Sequence, residues 1–245
     1  MAVVWRSSGA KKAKAKREVR ELPSVDGLIN EVLELRTMKR DFFRPSMLYG
    51  CDRANYFHYT CAPSHPSRPT PKLSKILDNG TAVHEVVQGY LRDHPEWWFA
   101  AESRVNAQIE GLNLRGSCDG VLIRRSDLYR FSVEIKTIST NQFIKLTKAK
   151  PGHVSQALTY ASQHGLDATK IVYWDKNTHD IKEYDHFVTP AVKRGLKERV
   201  RHLKVYVEKG KLPEFDFDQC SPELCTYYDL CRSKGGKPHL ASKGW

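Results

Sequence analysis

Three charged side chains fall close together on a predicted β-hairpin. Asp119 and Glu134 lie on two strand-like segments that flank the turn residues Ser126 and Asp127. If the hairpin is centred on this turn, Asp119 lies directly opposite Glu134, and Lys136 shares their face because side chains alternate along a strand. Two facing carboxylates repel each other. A bound Mg²⁺ or Mn²⁺ would reverse that penalty, because hard cations favour carboxylate oxygens.

The same register, which a four-residue loop over 125–128 also preserves, sends apolar side chains to the opposite face. The residues expected to enter the core from that face are Leu122, Phe131, Val133 and Ile135. Taken alone, the charged residues also fit a surface hairpin whose opposite charges alternate. The predicted helices on either side of the hairpin decide between a metal site and a surface hairpin.

Two predicted helices contribute further polar residues. His84 ends a Gly-x3-His segment on the helix before the strands, and Gln156 and Tyr160 lie on the helix after them. Gln156 and Tyr160 are four residues apart and therefore share one face of that helix. Each residue type is common on helices, but their joint presence in this order favours a functional site over a plain surface hairpin.

The order of predicted elements indicates an α/β (α+β) fold with a central mixed sheet flanked by helices. Ser46 is placed to cap a helix, Pro151 and Pro190 to begin helices, and Gly165 to end one. A first helix is predicted to start after Ser24, and the other predicted helices cover residues 47–57, 73–94, 151–164 and 190–209. The predicted strands cover 99–109, 112–124, 128–138, 171–175 and 181–188.

The formal charge of +12 and the pI near 9.4 indicate a polyanionic partner, with a solvated basic surface as the alternative. A flexible arm over 1–22 precedes a single predicted domain over 23–245. Its run of basic side chains can bind nucleic acid non-specifically through phosphate contacts. The alternative is that the arm is a solubilising tail. The arm residues assigned to nucleic-acid binding are Lys11, Lys12, Lys14, Lys16 and Arg17.

No apolar run reaches the roughly 18 to 20 residues of a membrane span, and the beginning of the sequence lacks the apolar core of a signal peptide. We therefore expect a cytoplasmic protein with no membrane partner. Six cysteines are few for a disulfide scaffold, and a reducing compartment disfavours disulfides. Their clustering towards the C-terminus indicates a metal or iron–sulfur site instead.

Taken together, these motifs resemble the RecB-type branch of the PD-(D/E)xK nuclease superfamily. The match is to its iron–sulfur members, which include CRISPR-associated and phage exonucleases and the AddB nuclease domain. The resemblance runs from Pro45 to Cys231. Its motifs are Ser46-Met-Leu-Tyr-Gly-Cys51-Asp-Arg53, Gly80 to His84, Asp119 between Gly116 and Gly120, Glu134-Ile135-Lys136, and Gln156 to Tyr160.

The resemblance implies a restriction-endonuclease-like core and a role for each motif residue. The implied ligands of a catalytic Mg²⁺ or Mn²⁺ are His84, Asp119, Glu134 and the carbonyl of Ile135. Lys136 would orient or help to deprotonate the attacking water, while Gln156 and Tyr160 would position DNA or brace Lys136. Glu102, on the strand before Asp119, is either a supporting carboxylate or an ordinary sheet residue.

The resemblance also implies a 4Fe-4S cluster, with zinc as the alternative, held by Cys51, Cys220, Cys225 and Cys231. Such a cluster would clasp the C-terminal segment to the N-terminal helical segment. The family usually has two residues between the first two C-terminal cysteines, whereas this chain has four. Cys61 is therefore an alternative to Cys220. Cys118 is expected to be a buried packing residue.

The expected function is metal-dependent hydrolysis of DNA in recombination, replication or repair. We expect an exonuclease that acts on single-stranded DNA or DNA ends. The alternatives are a structure- or site-selective endonuclease and a non-catalytic nucleic-acid-binding protein on the same fold. A purely structural zinc protein would leave the hairpin carboxylates unexplained.

Overall fold

Five strands form one mixed sheet in the part of the chain that the structure describes. The computed structural model describes residues 24–27, 29, 42–60, 71–216, 220 and 225–234. The strands are β1 (Trp97–Ile109), β2 (Leu112–Arg124), β3 (Arg130–Ile138), β4 (Ala168–Asp175) and β5 (Ile181–Phe187), and the helices are α1 (Pro45–Leu48), α2 (Asp52–Tyr59), α3 (Pro71–Arg92), α4 (Thr140–Lys145), α5 (Pro151–Gln163), α6 (Pro190–Lys209) and α7 (Tyr228–Ser233).

The strands lie side by side in chain order. The β3–β4 pair is parallel and the other neighbours are antiparallel. A parallel pair needs a crossover connection, and here the crossover contains α4 and α5. This mixed sheet flanked by helices confirms the predicted fold class.

The β2–β3 hairpin has the register predicted from its turn. Gly120 pairs with Val133 and Ile123 with Arg130. The amide of Arg124 bonds to the carbonyl of Tyr129, which leaves a four-residue loop over 125–128. The regular pairing stops at Gly120, one residue before Asp119 would face Glu134.

The two faces of the sheet carry different apolar clusters. On one face, Val87 on α3 packs with the predicted inward residues of the hairpin, which are Leu122, Phe131, Val133 and Ile135. The cluster on the other side joins Leu48 on α1, Tyr160 on α5 and Leu196 on α6. The sheet therefore lies between α3 and a layer that contains α1, α5 and α6.

Cys118 is buried, as predicted, but it belongs to the cluster that contains Tyr160 and Val121 rather than to the one that contains Leu122. Simple alternation along β2 would place Cys118 and Leu122 on the same face. The pairing of β1 with β2 skips Asp119, between Cys118 and Gly120, and this local irregularity accounts for the difference.

The predicted capping role of Ser46 is wrong. Pro45, in the first turn of α1, is followed directly by Ser46, so Ser46 lies inside that helix. The predicted helix over 47–57 is divided into α1 and α2 by a turn in which the Gly50 amide bonds to the Met47 carbonyl. Asn55 on α2 holds the two pieces together by donating to the carbonyls of Met47 and Cys51, at 2.8 and 3.1 Å.

The C-terminal segment folds back against α2, as the predicted clasp requires. Phe57 on α2 packs with Tyr227, Leu230 and Cys231 at and beside α7. Arg53 donates to the carbonyl of Pro213 at 2.8 Å. The short helices α4 and α7 were not among the predicted elements, because six residues are too few to show a helical period.

Within the described ranges, no helix is both long and apolar enough to cross a membrane. The basic arm over 1–22, with Lys11, Lys12, Lys14, Lys16 and Arg17, lies outside the described residues, as does Cys61. Their assigned roles remain predictions.

Candidate active site

Asp119 occupies the point where β2 leaves regular pairing on both sides. Its neighbours pair normally with β1, Cys118 with Ser103 and Gly120 with Ala101, while Asp119 and Glu102 between them do not. The backbone amide of Ile135 donates to Asp119 Oδ2 at 2.6 Å. One carboxylate oxygen is therefore fixed by β3, and the other is directed elsewhere.

The second oxygen of Asp119 faces α3. Asp119 Oδ1 lies 3.4 Å from His84 Nδ1. Ligand atoms of His84, Glu102 and Asp119 all lie within 4.8 Å of one another, which makes these residues a candidate metal site. Hard divalent cations take oxygen ligands at roughly 2.0–2.6 Å, so three groups at this separation can share one cation.

Glu102 approaches this group through an unusual backbone conformation. Its φ of 48° is in the left-handed region, which costs a non-glycine residue about 1–3 kcal/mol. Its carboxylate accepts from Gln88 Nε2 at 3.0 Å and from Ser117 Oγ at 2.8 Å. Gln88 lies one turn after His84 on α3 and also donates to the carbonyl of Asp119, at 2.8 Å.

Glu134 forms a second cluster with Lys136 and Gln156. Lys136 Nζ lies 2.7 Å from Glu134 Oε1 and donates to Gln156 Oε1 at 3.2 Å. Gln156 Nε2 donates to Glu134 Oε1 at 2.6 Å. The amide of Gln156 therefore joins the acid and the amine of the Glu-x-Lys motif.

The other oxygen of Glu134 is an unpaired buried atom. The residue is 2% exposed, and Oε2 has no hydrogen-bond partner among the described residues. Burial raises the pKa of the Glu134 carboxyl above its usual range, and the charge of Lys136 opposes that rise. For His84, burial lowers the pKa but the Asp119 carboxylate raises it more, so the net shift is upward.

Close packing explains two glycines beside Asp119. A Cβ at Gly116 would lie 2.5 Å from the hydroxyl of Tyr160, and a Cβ at Gly120 would lie 2.2 Å from the ring of Phe99. Tyr160 is itself 4% exposed and belongs to the apolar core. Its hydroxyl packs against the backbone of β2, whereas Gln156 is the residue that contacts Lys136.

The four predicted cluster cysteines line one cavity, together with Arg53, which donates to Cys231 Sγ at 3.5 Å. In the described part of the chain, no three thiols approach one another within 4.8 Å as the groups of the acidic site do. Burial raises the pKa of the Cys51 and Cys225 thiols. The four cysteines that line this cavity, and that were predicted to hold a cluster, are Cys51, Cys220, Cys225 and Cys231.

The predicted site residues therefore lie in two places, around the break in β2 and in the cysteine cavity. His84, Asp119, Glu134 and Lys136 lie around the break in β2, with Gln156 in contact and Ile135 contributing its amide to Asp119. Gln88 was not among the predicted residues, although its four-residue spacing from His84 places it on the same face of α3. Glu102 was considered only as a supporting or ordinary sheet residue, and the structure places it beside His84 and Asp119.

The sequence matches no protein-family model and no curated protein. Two solved structures are similar over most of their length. One is SSO0001, with 17% identity, a TM-score of 0.53, and coverage of 85% of this chain and 94% of that one. The other is an alkaline exonuclease (LHK-Exo) from Laribacter hongkongensis, with 13% identity, a TM-score of 0.50, and coverage of 75% and 93%. This chain is similar to both in fold.

Proposed function

We propose that this protein is a divalent-metal-dependent nuclease that hydrolyses phosphodiester bonds in DNA. The observation that carries the proposal is the convergence of His84, Glu102 and Asp119 within 4.8 Å, beside the Glu134–Lys136 pair. Metal-ligating groups next to a lysine are the parts that metal-assisted hydrolysis needs. The similarity in fold to an exonuclease agrees with this reading.

The residues present fit a hard cation. An unpaired buried carboxylate oxygen costs roughly 1–3 kcal/mol or more, and Glu134 Oε2 is such an atom. Asp119 Oδ1 and the ring of His84 supply further ligands, and Glu102 can add a carboxylate oxygen although Gln88 and Ser117 already donate to it. The carbonyl of Ile135, implied by resemblance, completes the proposed set.

The chemistry that Mg²⁺ or Mn²⁺ supplies in such a site is activation of water and stabilisation of negative charge on the scissile phosphate. The chain itself positions Lys136. An ammonium group has three protons, and Glu134 and Gln156 engage two of them. The third is available to orient the attacking water or to donate to a phosphate oxygen.

The proposed substrate is DNA, and the proposed activity is exonucleolytic on single strands or ends. A formal charge of +12 favours a polyanion, and the predicted basic arm would add phosphate contacts. Exonucleolytic cleavage also agrees with the resemblance of the motifs to RecB-type nucleases. A structure- or site-selective endonuclease is the second candidate, because the same ligands serve both kinds of cleavage.

We also propose that the cysteine cavity holds a 4Fe-4S cluster. Tetrahedral zinc with bonds near 2.3 Å needs sulfurs about 4 Å apart, closer than any three described thiols approach. A cluster with one thiolate at each iron accepts wider spacing. Zinc remains the alternative, and either would hold the C-terminal segment against α2.

A cleavage assay with end-labelled DNA tests the proposal. Single- and double-stranded substrates labelled at the 5′ or 3′ end are incubated with Mg²⁺, with Mn²⁺ or with EDTA. We expect metal-dependent release of short products from ends and survival of closed circular DNA. Cleavage of circular DNA would favour the endonuclease, and no cleavage with any metal or substrate would contradict a nuclease.

A further inference from the structure

His153 is a histidine on the active-site side of α5 that the motifs above do not include. It precedes Gln156 by three residues and Tyr160 by seven, so the three side chains lie on the same face of the helix. Gln156 contacts both Glu134 and Lys136. His153 therefore stands one helical turn from the predicted catalytic residues.

Tyr173 fixes the protonation of the His153 ring. The hydroxyl of Tyr173 lies 2.8 Å from His153 Nδ1 and accepts from the backbone amide of Lys150 at 2.9 Å. Tyr173 is fully buried, so its own proton needs an acceptor. His153 Nδ1 is that acceptor among the described residues, and the proton of the neutral ring consequently lies on Nε2.

The ring is neutral at physiological pH. Burial, followed by the positive charges of Lys136 and Lys150, lowers the pKa of His153 to about 4. A neutral imidazole with Nδ1 accepting a hydrogen bond has one donor left, the Nε2–H. That donor is fixed in orientation by the stacking of the His153 and Tyr173 rings, whose centroids lie 5.5 Å apart.

In the described part of the chain, the Nε2–H of His153 has no hydrogen-bond partner. The buried side-chain atoms that lack a partner there do not include His153 Nε2, so this nitrogen is not fully buried. It is therefore open to solvent. Pro151 and Gly152 just before it are exposed, and a Cβ at Gly152 would meet no atom within 4 Å. The described residues therefore leave the space around Gly152, next to His153, open.

We propose that His153 is a positioning residue whose Nε2–H donates to a non-bridging phosphate oxygen of the DNA strand held at Lys136. The inference rests on the proposed function and names a backbone contact of that same site. A phosphate oxygen is a strong acceptor beside the positive charge of Lys136. A neutral donor with a fixed orientation sets the position of the strand without competing with that charge for the carboxylates.

Two substitutions separate the two ring nitrogens. His153→Asn keeps an amide near the position of Nδ1, where it can accept from Tyr173, but has no donor near Nε2. His153→Gln reaches the position of Nε2 with an amide N–H but loses the acceptor for Tyr173. If the ring only packs against Tyr173, stability and DNA affinity should change together in both variants.

The experiment measures thermal stability, DNA affinity in Ca²⁺ or EDTA, and KM and kcat in Mg²⁺ for the wild type and both variants. A hydrogen bond to a charged group is worth about tenfold in affinity, so we expect His153→Asn to raise Kd and KM about tenfold with little loss of stability. His153→Gln should keep the affinity within about threefold while losing stability. Because the ring is neutral, the salt dependence of binding should not change.

Wild-type Kd and KM in His153→Asn would overturn the proposal, as would parallel losses of affinity and stability in both variants. A flatter salt dependence in His153→Asn would also contradict a neutral donor. A wild-type protein that binds DNA but does not cleave it would refute the nuclease while leaving the affinity test of His153 intact. Failure of the wild type to bind DNA would overturn both.

Discussion

Gln156 Nε2 lies 2.6 Å from Glu134 Oε1, so the helix that follows the sheet holds the buried carboxylate of β3 in place. The same oxygen accepts from Lys136. Both hydrogen bonds are made to Oε1, and Oε2, which has no hydrogen-bond partner among the described residues, is the oxygen proposed to bind the metal. Gln156 thus holds one oxygen of the Glu134 carboxylate in place.

Gln156→Glu is expected to reduce cleavage by about 10- to 100-fold, the usual cost of losing a residue that orients a metal ligand. The substitution keeps the shape of the side chain but replaces the donor to Glu134 with a repelling carboxylate. Gln163→Glu, at the far end of the same helix, is the matched control and should retain activity. Equal activity of the two variants would show that Gln156 does not orient Glu134.

Gly116→Ala is expected to destabilise the protein by about 1–3 kcal/mol, because the added Cβ would overlap the hydroxyl of Tyr160. Removing that hydroxyl in the double variant Gly116→Ala/Tyr160→Phe should restore part of the loss. Chemical denaturation of the single and double variants measures this coupling. Strictly additive effects would mean that the two groups do not meet.

Cys51→Ser is expected to abolish the visible absorbance of anaerobically purified protein and to lower its melting temperature, because the proposed cluster would connect α2 to the C-terminal segment. Cys118→Ser is the matched control, since Cys118 lies in the core away from the cysteine cavity. A colourless wild-type protein that contains zinc would keep the clasp and remove the iron. A wild-type protein with neither metal would refute both.

Asp52→Asn is expected to lower stability at pH 7 by about 1 kcal/mol. Asp52 on α2 pairs with Arg199 and His202 on α6, at 2.5 and 2.6 Å. Burial raises the pKa of Asp52, but the bonds to Arg199 and His202 outweigh it and hold that pKa below its ordinary value.

A carboxyl whose pKa is depressed by folding stabilises the protein fully above its ordinary pKa of about 4 and loses that contribution as the pH falls through the folded value. The difference between wild type and Asp52→Asn should therefore shrink below about pH 4. Urea midpoints measured from pH 3 to 7 test this. A difference that is constant across the range would show that the charge of Asp52 is not responsible.

Much of the fold follows from local patterns in the sequence. The turn at Ser126 and Asp127 is enough to set the register of β2 and β3, because a one-residue shift would send Leu122 and Val133 to the wrong face. The division between α1 and α2 was not predicted. Ser46 is a residue type that favours the N-cap, whereas the break depends on contacts such as those of Asn55 with the Met47 and Cys51 carbonyls.

The site is less accessible to sequence analysis than the fold. The order of motifs singled out Asp119, Glu134 and Lys136 as candidates, but the approach of Glu102 to Asp119 depends on a left-handed backbone residue in mid-strand. Such a conformation has no local sequence signal when the residue is not glycine. His153 was missed for a related reason, since its partner Tyr173 is twenty residues away on a parallel strand.

The most direct measurement compares DNA cleavage and divalent-metal binding in the wild type, Asp119→Ala, Glu134→Ala and Lys136→Ala, with Glu183→Ala on the exposed edge strand as the control. We expect Asp119→Ala and Glu134→Ala to lose cleavage and to bind Mn²⁺ weakly, because each lacks a proposed ligand, while remaining folded. Lys136→Ala should lose cleavage but still bind Mn²⁺, and the control should match the wild type. Undiminished cleavage by Asp119→Ala or Glu134→Ala would contradict the assignment of this site.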